Sequence, residues 1–167
     1  TKELIHAVLS SHFKTYTTEG NLNNHIGIPL TLLKVKADAE IAVVEMGANH
    51  QKEIASYCTY TLPTHGLINN CGKAHLEGFG GIEGVRKGKG ELYDFIRETN
   101  GTVFINKDYE YLLRMSKGIN FQVTYGTANA ETTGLILKSE PFLKVEITSN
   151  DALDILETQL VGDYNLP

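Results

Sequence analysis

Three short apolar runs constrain this chain more than any other feature: Ile41 to Val44, Gly66 to Ile68, and Val103 to Ile105. The run Ile41, Ala42, Val43, Val44 lacks the polar alternation of a strand with one wet face, so it reads as a strand covered on both faces. The other two are shorter versions of it. Strands of this kind belong to parallel sheets, which need helical crossovers between their members. Helical patterns fall where crossovers are needed. Residues 2–12 carry Leu4, Ile5, Val8 and Leu9 on one face, and a short strand is expected at 13–17. Residues 29–36 read as a helix with proline in its first turn, where the missing amide proton costs little. Asn49 is expected to cap a helix reaching about Cys58, with Glu53 near its first turn. A helix at 108–117 and a strand at 120–125 continue the alternation through Gly126. From Ala128 the pattern becomes alternating strands at 132–139, 142–149 and 152–161, with turns at Ser139–Pro141 and Ser149–Asp151. The expected fold class is therefore α/β, a mostly parallel doubly wound sheet with a small antiparallel β appendix at the C-terminal end. In this reading residues 1–127 form the α/β core and residues 128–162 a β subdomain of a single domain.

With 167 residues and 41% hydrophobic content the chain can bury a substantial core. Its net charge of -5 argues against a nucleic-acid binder, which needs clustered basic excess. No apolar run approaches a membrane span and no signal segment opens the chain, so a cytoplasmic protein is expected. Cys58 and Cys71 lie 13 apart with no CxxC partner, which disfavours a zinc knuckle and makes both small core residues. The helical pattern starting directly at Thr1, and the end at Pro167 without a terminal helix, fit an excised domain.

The stretch Asn69 to Phe95, NNCGKAHLEGFGGIEGVRKGKGELYDF, carries the most unusual residue. Ile82, Val85, Leu92 and Ile96 form an apolar stripe, at spacings of three, seven and four, and Lys89 falls on that stripe. Lys87 instead shares a face with Glu83, Glu91 and Asp94, where four-residue spacing allows ion pairs in solvent. Burying an unpaired ammonium costs several kcal/mol, about enough to force a partner or a depressed pKa. A depressed lysine can be a Schiff-base nucleophile, a phosphate clamp, or an amine that takes up carbon dioxide as a carbamate. Gly88 and Gly90 flank it inside the helix, which suggests close approach of backbone or ligand.

Two further residues converge on the same chemistry. Glu45 closes the first buried run and His75 follows the second. In an open parallel sheet both would face the crevice beyond the strands' carboxyl ends, although they lie 30 residues apart. Glu45 can equally be an exposed strand-end acid and His75 a satisfied loop histidine. A site built from a glutamate and a carbamate would suit Mg²⁺ better than zinc. The loop GNLNNHIGIP at 20–29 holds Asn21, Asn23 and Asn24, whose amides can close turns or reach a ligand.

The strings TEGNLNNHIGIPLTLL at 18–33, EMGANH at 45–50, NCGKAHLEGFGG at 70–81, KGKGELY at 87–93 and QLVGDYNLP at 159–167 together resemble the Mur ligases. The likeness runs over essentially the whole chain, and five motifs in order make it specific. It implies the central, ATP-binding domain of a three-domain bacterial enzyme in peptidoglycan synthesis. The branch it resembles adds D-Ala-D-Ala to UDP-N-acetylmuramoyl-tripeptide. The resemblance makes Glu45 and His75 magnesium ligands, and Lys89 a carbamylated lysine that helps hold a second magnesium. It places Asn21, Asn23 and Asn24 near metal and substrate, and Asn165 beside the adenine pocket. The family's phosphate loop, ending GKTT, should stand before TKELIH, and at most its last threonine is present. The N-terminal domain that grips the UDP sugar and the C-terminal domain are absent from these residues too, so the 167 residues alone are expected to be inactive. The competing readings are a folylpolyglutamate synthase type ligase, against which NLNNHIGIP and AHLEGFGG argue, and a non-catalytic nucleotide-binding domain.

Overall fold

The computed structural model describes residues 1–72, 76–150 and 152–166, with backbone alone at 76 and 77. The chain divides into two compact units, Thr1–Pro63 with Cys71–Phe95, and Thr64–Asn70 with Ile96–Pro167.

The first unit holds α1 (Lys2–Leu9), β1 (Thr15–Thr17), α2 (Gly27–Lys34), β2 (Ile41–Val43), α3 (Glu53–Thr61), α4 (Leu76–Phe79) and most of α5 (Ile82–Thr99). β1 and β2 pair in parallel with Thr15 opposite Ile41 and Thr17 opposite Val43. Ala42 is exposed and Ile41 and Val43 are half-buried, so β2 is not covered on both faces within the described residues. The residues just beyond β2 are better covered. Val44, Met46 and Ala48 pack with Leu92 and Phe95 of α5 around buried Ile28, Ile54, Tyr57 and Cys58. Each fully buried large side chain contributes about 1.5–3 kcal/mol relative to exposure, and this cluster ties α2, α3 and α5 to the segment that follows Glu45.

α3 begins at Glu53, later than a helix capped by Asn49 would. The reason is local. The backbone N–H groups of Asn49 and His50 donate to Glu53 Oε2 at 2.7 and 3.1 Å, folding the segment into a turn. Lys52 then enters the helix with a left-handed φ of 71°. α5 follows the apolar stripe, with Val85, Tyr93 and Ile96 buried and Lys87 exposed. The close approach expected at Gly88 is made by the protein itself. The ring of buried Phe79 lies against it, so that a Cβ there would stand 2.4 Å from Cε1.

The second unit is a six-stranded sheet in the order β3 (His65–Leu67), β4 (Thr102–Asn106), β5 (Phe121–Gly126), β6 (Thr132–Lys138), β7 (Lys144–Ser149) and β8 (Ala152–Glu157). β3 to β6 run parallel, and β6 to β8 antiparallel. α6 (Glu110–Met115) links β4 to β5. The antiparallel strands thus continue the sheet: β6 joins β5 through Tyr125–Thr132 and Gly126–Thr133. Val103, Ile105, Leu112, Ile119, Leu143 and Val145 are buried, whereas Phe104 is 37% exposed and stacks on His65. Phe104 is thus the one exposed residue of β4, while Asn106 on the same face is buried. A 3-10 turn at Asp163–Asn165 ends the described chain. No helix among the described residues is long and apolar enough to cross a membrane.

Candidate functional site

The residues after β2 are held unusually firmly for a strand exit. Thr18, fully buried, donates its N–H to the Val43 carbonyl at 3.1 Å, and its Oγ1 accepts the N–H of Glu45 at 2.9 Å. That pair fixes the backbone from which the Glu45 side chain leaves. Asn23 Nδ2 then donates to Glu45 Oε1 at 2.7 Å, and the Asn23 carbonyl accepts the N–H of Gly47 at 2.7 Å. Gly47 is needed here, because a Cβ would come within 2.9 Å of the Asn23 amide. The structure thus joins two predicted site residues 22 positions apart into one half-buried unit. A carboxylate with one oxygen oriented by an amide suits a hard oxygen-seeking cation such as Mg²⁺.

The three asparagines separate by role. Asn24 Oδ1 accepts the N–H groups of Ile26 and Gly27 at 3.0 and 2.9 Å and so satisfies the start of α2. Asn21 is exposed, and its carbonyl accepts from Asn23 N at 2.8 Å. Asn23 alone of the three is bonded to Glu45.

Lys89 is half-buried on α5. Its charge, with that of Arg86, acts on the buried thiol of Cys71: burial pushes that thiol up, and the two cations oppose the rise. Cys58 is pushed up to about 11 by burial, helped by the charge of Glu91. Both cysteines are free and buried, as their spacing suggested. Two of the acids that share the face of Lys87 are taken elsewhere. Glu83 pairs with Arg86, and Glu91 turns to α3, where Oε1 accepts Lys52 N at 2.5 Å and Oε2 accepts Ala55 N at 2.9 Å. The sequence suggested Glu91 only as a solvent ion-pair partner and Thr18 not at all. Glu91 lies on α5 at solvent-pairing spacing, and its true partners are 36 and 39 residues away. For Thr18 the signal was available, since a threonine opposite a strand exit can hold its amide.

His75 lies outside the described residues. Among the described residues no group of three or more His, Cys, Asp and Glu side chains could hold a metal ion. Glu53 shows how the surrounding loop is held: burial raises its carboxyl, but the Asn49 and His50 amides and the His50 side chain more than offset this and leave it low.

In the second unit, Asn165 turns back on its own backbone, with Nδ2 donating to the carbonyls of Val161 and Gly162 at 3.0 and 3.4 Å. The next residue, Leu166, lines a pocket of about 140 Å³ together with Asn106, Asp108, Tyr125, Thr127 and Gly134. Asn106 is 1% exposed and its Nδ2 has no hydrogen-bond partner, although its Oδ1 accepts Asp108 N at 2.9 Å. Asp108 in turn accepts from Thr127 N and Oγ1 at about 3 Å. Burial, then neighbouring Tyr109 and Asp108, pushes the Tyr125 phenol up.

The profile of the Mur ligase middle domain matches residues 1–167. The UDP-N-acetylmuramoyl-tripeptide--D-alanyl-D-alanine ligase of Escherichia coli K12 is 49% identical over 107 residues, 64% of this chain and 24% of that protein. The protein of the same name from Buchnera aphidicola subsp. Baizongia pistaciae is 38% identical across 99% of this chain and 36% of its own length. Among solved structures, MurF from Acinetobacter baumannii matches with a TM-score of 0.86 and 27% identity, over 98% of this chain and 36% of that one. The MurF ligase from Thermotoga maritima, in complex with ADP, matches with a TM-score of 0.84 and 26% identity, over 96% of this chain and 37% of that one. The chain spans between 24% and 37% of the length of these relatives. Because the profile covers every residue and the fold is shared with solved members, the chain belongs to the Mur ligase family, as its middle domain.

Proposed function

We propose that this chain is the ATP-handling middle domain of a bacterial cytoplasmic ligase that joins D-Ala-D-Ala to UDP-N-acetylmuramoyl-tripeptide. In the longer protein an N-terminal domain would grip the UDP sugar and a C-terminal domain would complete the nucleotide site. The observation that carries the reading is the Asn23–Glu45 pair, since an amide from one motif orients the half-buried carboxylate that opens the next.

In the proposed reaction the tripeptide carboxylate attacks the γ-phosphorus of ATP and ADP leaves, giving an acyl phosphate. The free amine of D-Ala-D-Ala then adds to the acyl carbon, and the tetrahedral intermediate expels phosphate as the amide forms. Glu45 and His75 would hold one magnesium ion, and Lys89 as a carbamate would help hold a second. Bound there, the metal would neutralise charge developing on the transferring phosphoryl group. The chain's own contribution is positional. Thr18 and Asn23 fix the direction of Glu45, and α5 carries Lys89 half-buried, where uptake of carbon dioxide turns a cation into an oxygen ligand. The pocket lined by Leu166 and by Asn106, whose Nδ2 has no partner among the described residues, would receive the base of the nucleotide, with Asn165 one position before Leu166 in the chain.

The test is D-Ala-D-Ala-dependent phosphate release by the full-length protein. Glu45→Gln and Lys89→Ala should each lower it by more than the roughly 10–100-fold that loss of an outer-sphere partner costs, and short carboxylic acids should restore part of the Lys89→Ala loss. Unchanged release in Lys89→Ala would overturn the assignment.

A further inference from the structure

α3 has no side-chain cap of its own. Its N-cap position is Lys52, an exposed residue in left-handed conformation, and the acid of its first turn, Glu53, is committed backwards to Asn49 and His50. The cap comes from another helix. Glu91 spans the Lys52 and Ala55 amides with its two oxygens. A carboxylate on orphan amides at a helix N-terminus is favoured both by charge-assisted hydrogen bonds and by the helix dipole.

The two segments that Glu91 joins are the ones bearing the described oxygen and amine groups of the site. The loop it grips runs on directly from Glu45 through Gly47, and Gly47 is itself held by Asn23. The helix it sits on carries Lys89 two positions earlier. Met46, Ala48 and Ile54 of the gripped segment also pack in one cluster with Leu92 and Phe95 of α5. That packing holds the segment against the helix without satisfying the amides at the start of α3. The two hydrogen bonds to one carboxylate add a directional constraint that packing lacks.

We propose that Glu91 is a positioning residue that locks the Glu45 segment to the Lys89 helix and so sets the separation of those two metal-holding side chains. The proposal rests on the metal site assigned above. Its test is direct Mn²⁺ binding, followed by electron paramagnetic resonance, to full-length wild type, Glu91→Gln and Glu91→Ala, with the Mg²⁺ dependence of phosphate release measured alongside. The expected result is a Kd for Mn²⁺ and a half-saturating Mg²⁺ concentration raised about tenfold in Glu91→Ala, the lower end of the outer-sphere range. Glu91→Gln, which keeps one acceptor oxygen, should fall between the two, and the KM for D-Ala-D-Ala should stay within twofold. If Glu91→Ala does not fold, Glu91→Gln carries the comparison. Wild-type metal affinity in folded variants, or a loss of kcat with metal affinity unchanged, overturns the proposal. Metal binding without ligation by the wild type would sink the ligase reading, with the variants' Mn²⁺ affinities still deciding for or against Glu91, and no metal binding by the wild type would overturn both.

Discussion

Gly88→Ala sets two effects of similar size against each other. Replacing glycine by alanine inside a helix ordinarily stabilises it by about 0.8–1.0 kcal/mol. At this position the new methyl would stand 2.4 Å from Cε1, 3.1 Å from Cδ1 and 3.3 Å from Cζ of Phe79. To reach ordinary contact the ring must retreat by about an ångström, and Phe79 is 5% exposed, so it has nowhere to go without disturbing its neighbours. Overpacking of this kind costs about 1–3 kcal/mol. The net expectation is a destabilisation of about 1 kcal/mol, read as a lower urea midpoint at unchanged m-value. The cycle with Phe79→Ala isolates the cause. In that background the methyl enters a cavity, and Gly88→Ala should stabilise by about 1 kcal/mol, giving a coupling of about 2 kcal/mol. Stabilisation by Gly88→Ala in the Phe79 background would refute the reasoning, because it would mean that the ring yields freely.

Lys52 holds a φ of 71°, so Lys52→Gly should raise stability by about 0.5–1 kcal/mol while leaving its N–H available to Glu91; a loss in thermal denaturation would contradict this. Glu53 has a carboxyl lowered from 4.5, so its contribution is fully present above that value and is lost as pH falls through the lower folded value. The stability gap between wild type and Glu53→Gln should therefore be flat above about pH 5 and close towards pH 3, and a gap that widens on acidification would be the wrong sign. Cys58, fully buried with its thiol near 11, and Cys71, also buried, should resist a thiol-disulfide reagent at pH 8 in the native protein and react once urea unfolds it. Rapid native labelling of either would place the thiol in solvent.

The parts of the site that follow from one helix's phase were legible in the sequence. The stripe of α5 separated exposed Lys87 from half-buried Lys89 because helical periodicity is set by the backbone and needs no partner. The core placement of Cys58 and Cys71 was legible from their spacing, which offers neither a CxxC partner. What depended on distant groups was not. Nothing in the loop's residues favoured Asn23 over Asn24, yet the fold commits one to Glu45 and the other to the amides of α2. It suggested that Asn49 caps α3, whereas Glu53 recruited that asparagine's backbone and Glu91 supplied the cap from another helix. Apolar runs also promised more than they delivered. Composition reports that a strand prefers burial, but Ala42 and Phe104 are exposed within two such runs, because exposure depends on what packs on a strand and not on its own residues.

The six-stranded sheet stops at β8, and every residue from Ala152 to Glu157 is exposed. A terminal strand offers a free row of amides and carbonyls to any other extended chain, and Leu153, Ile155 and Leu156 give it an apolar surface as well. Asp154 and the Glu157 that pairs with Lys144 set charges along this border. They act as gatekeepers against sticking edge to edge. Neutralising these two carboxylates, remote from the chemistry, should therefore lower the solubility of this domain at high concentration before it alters the fold.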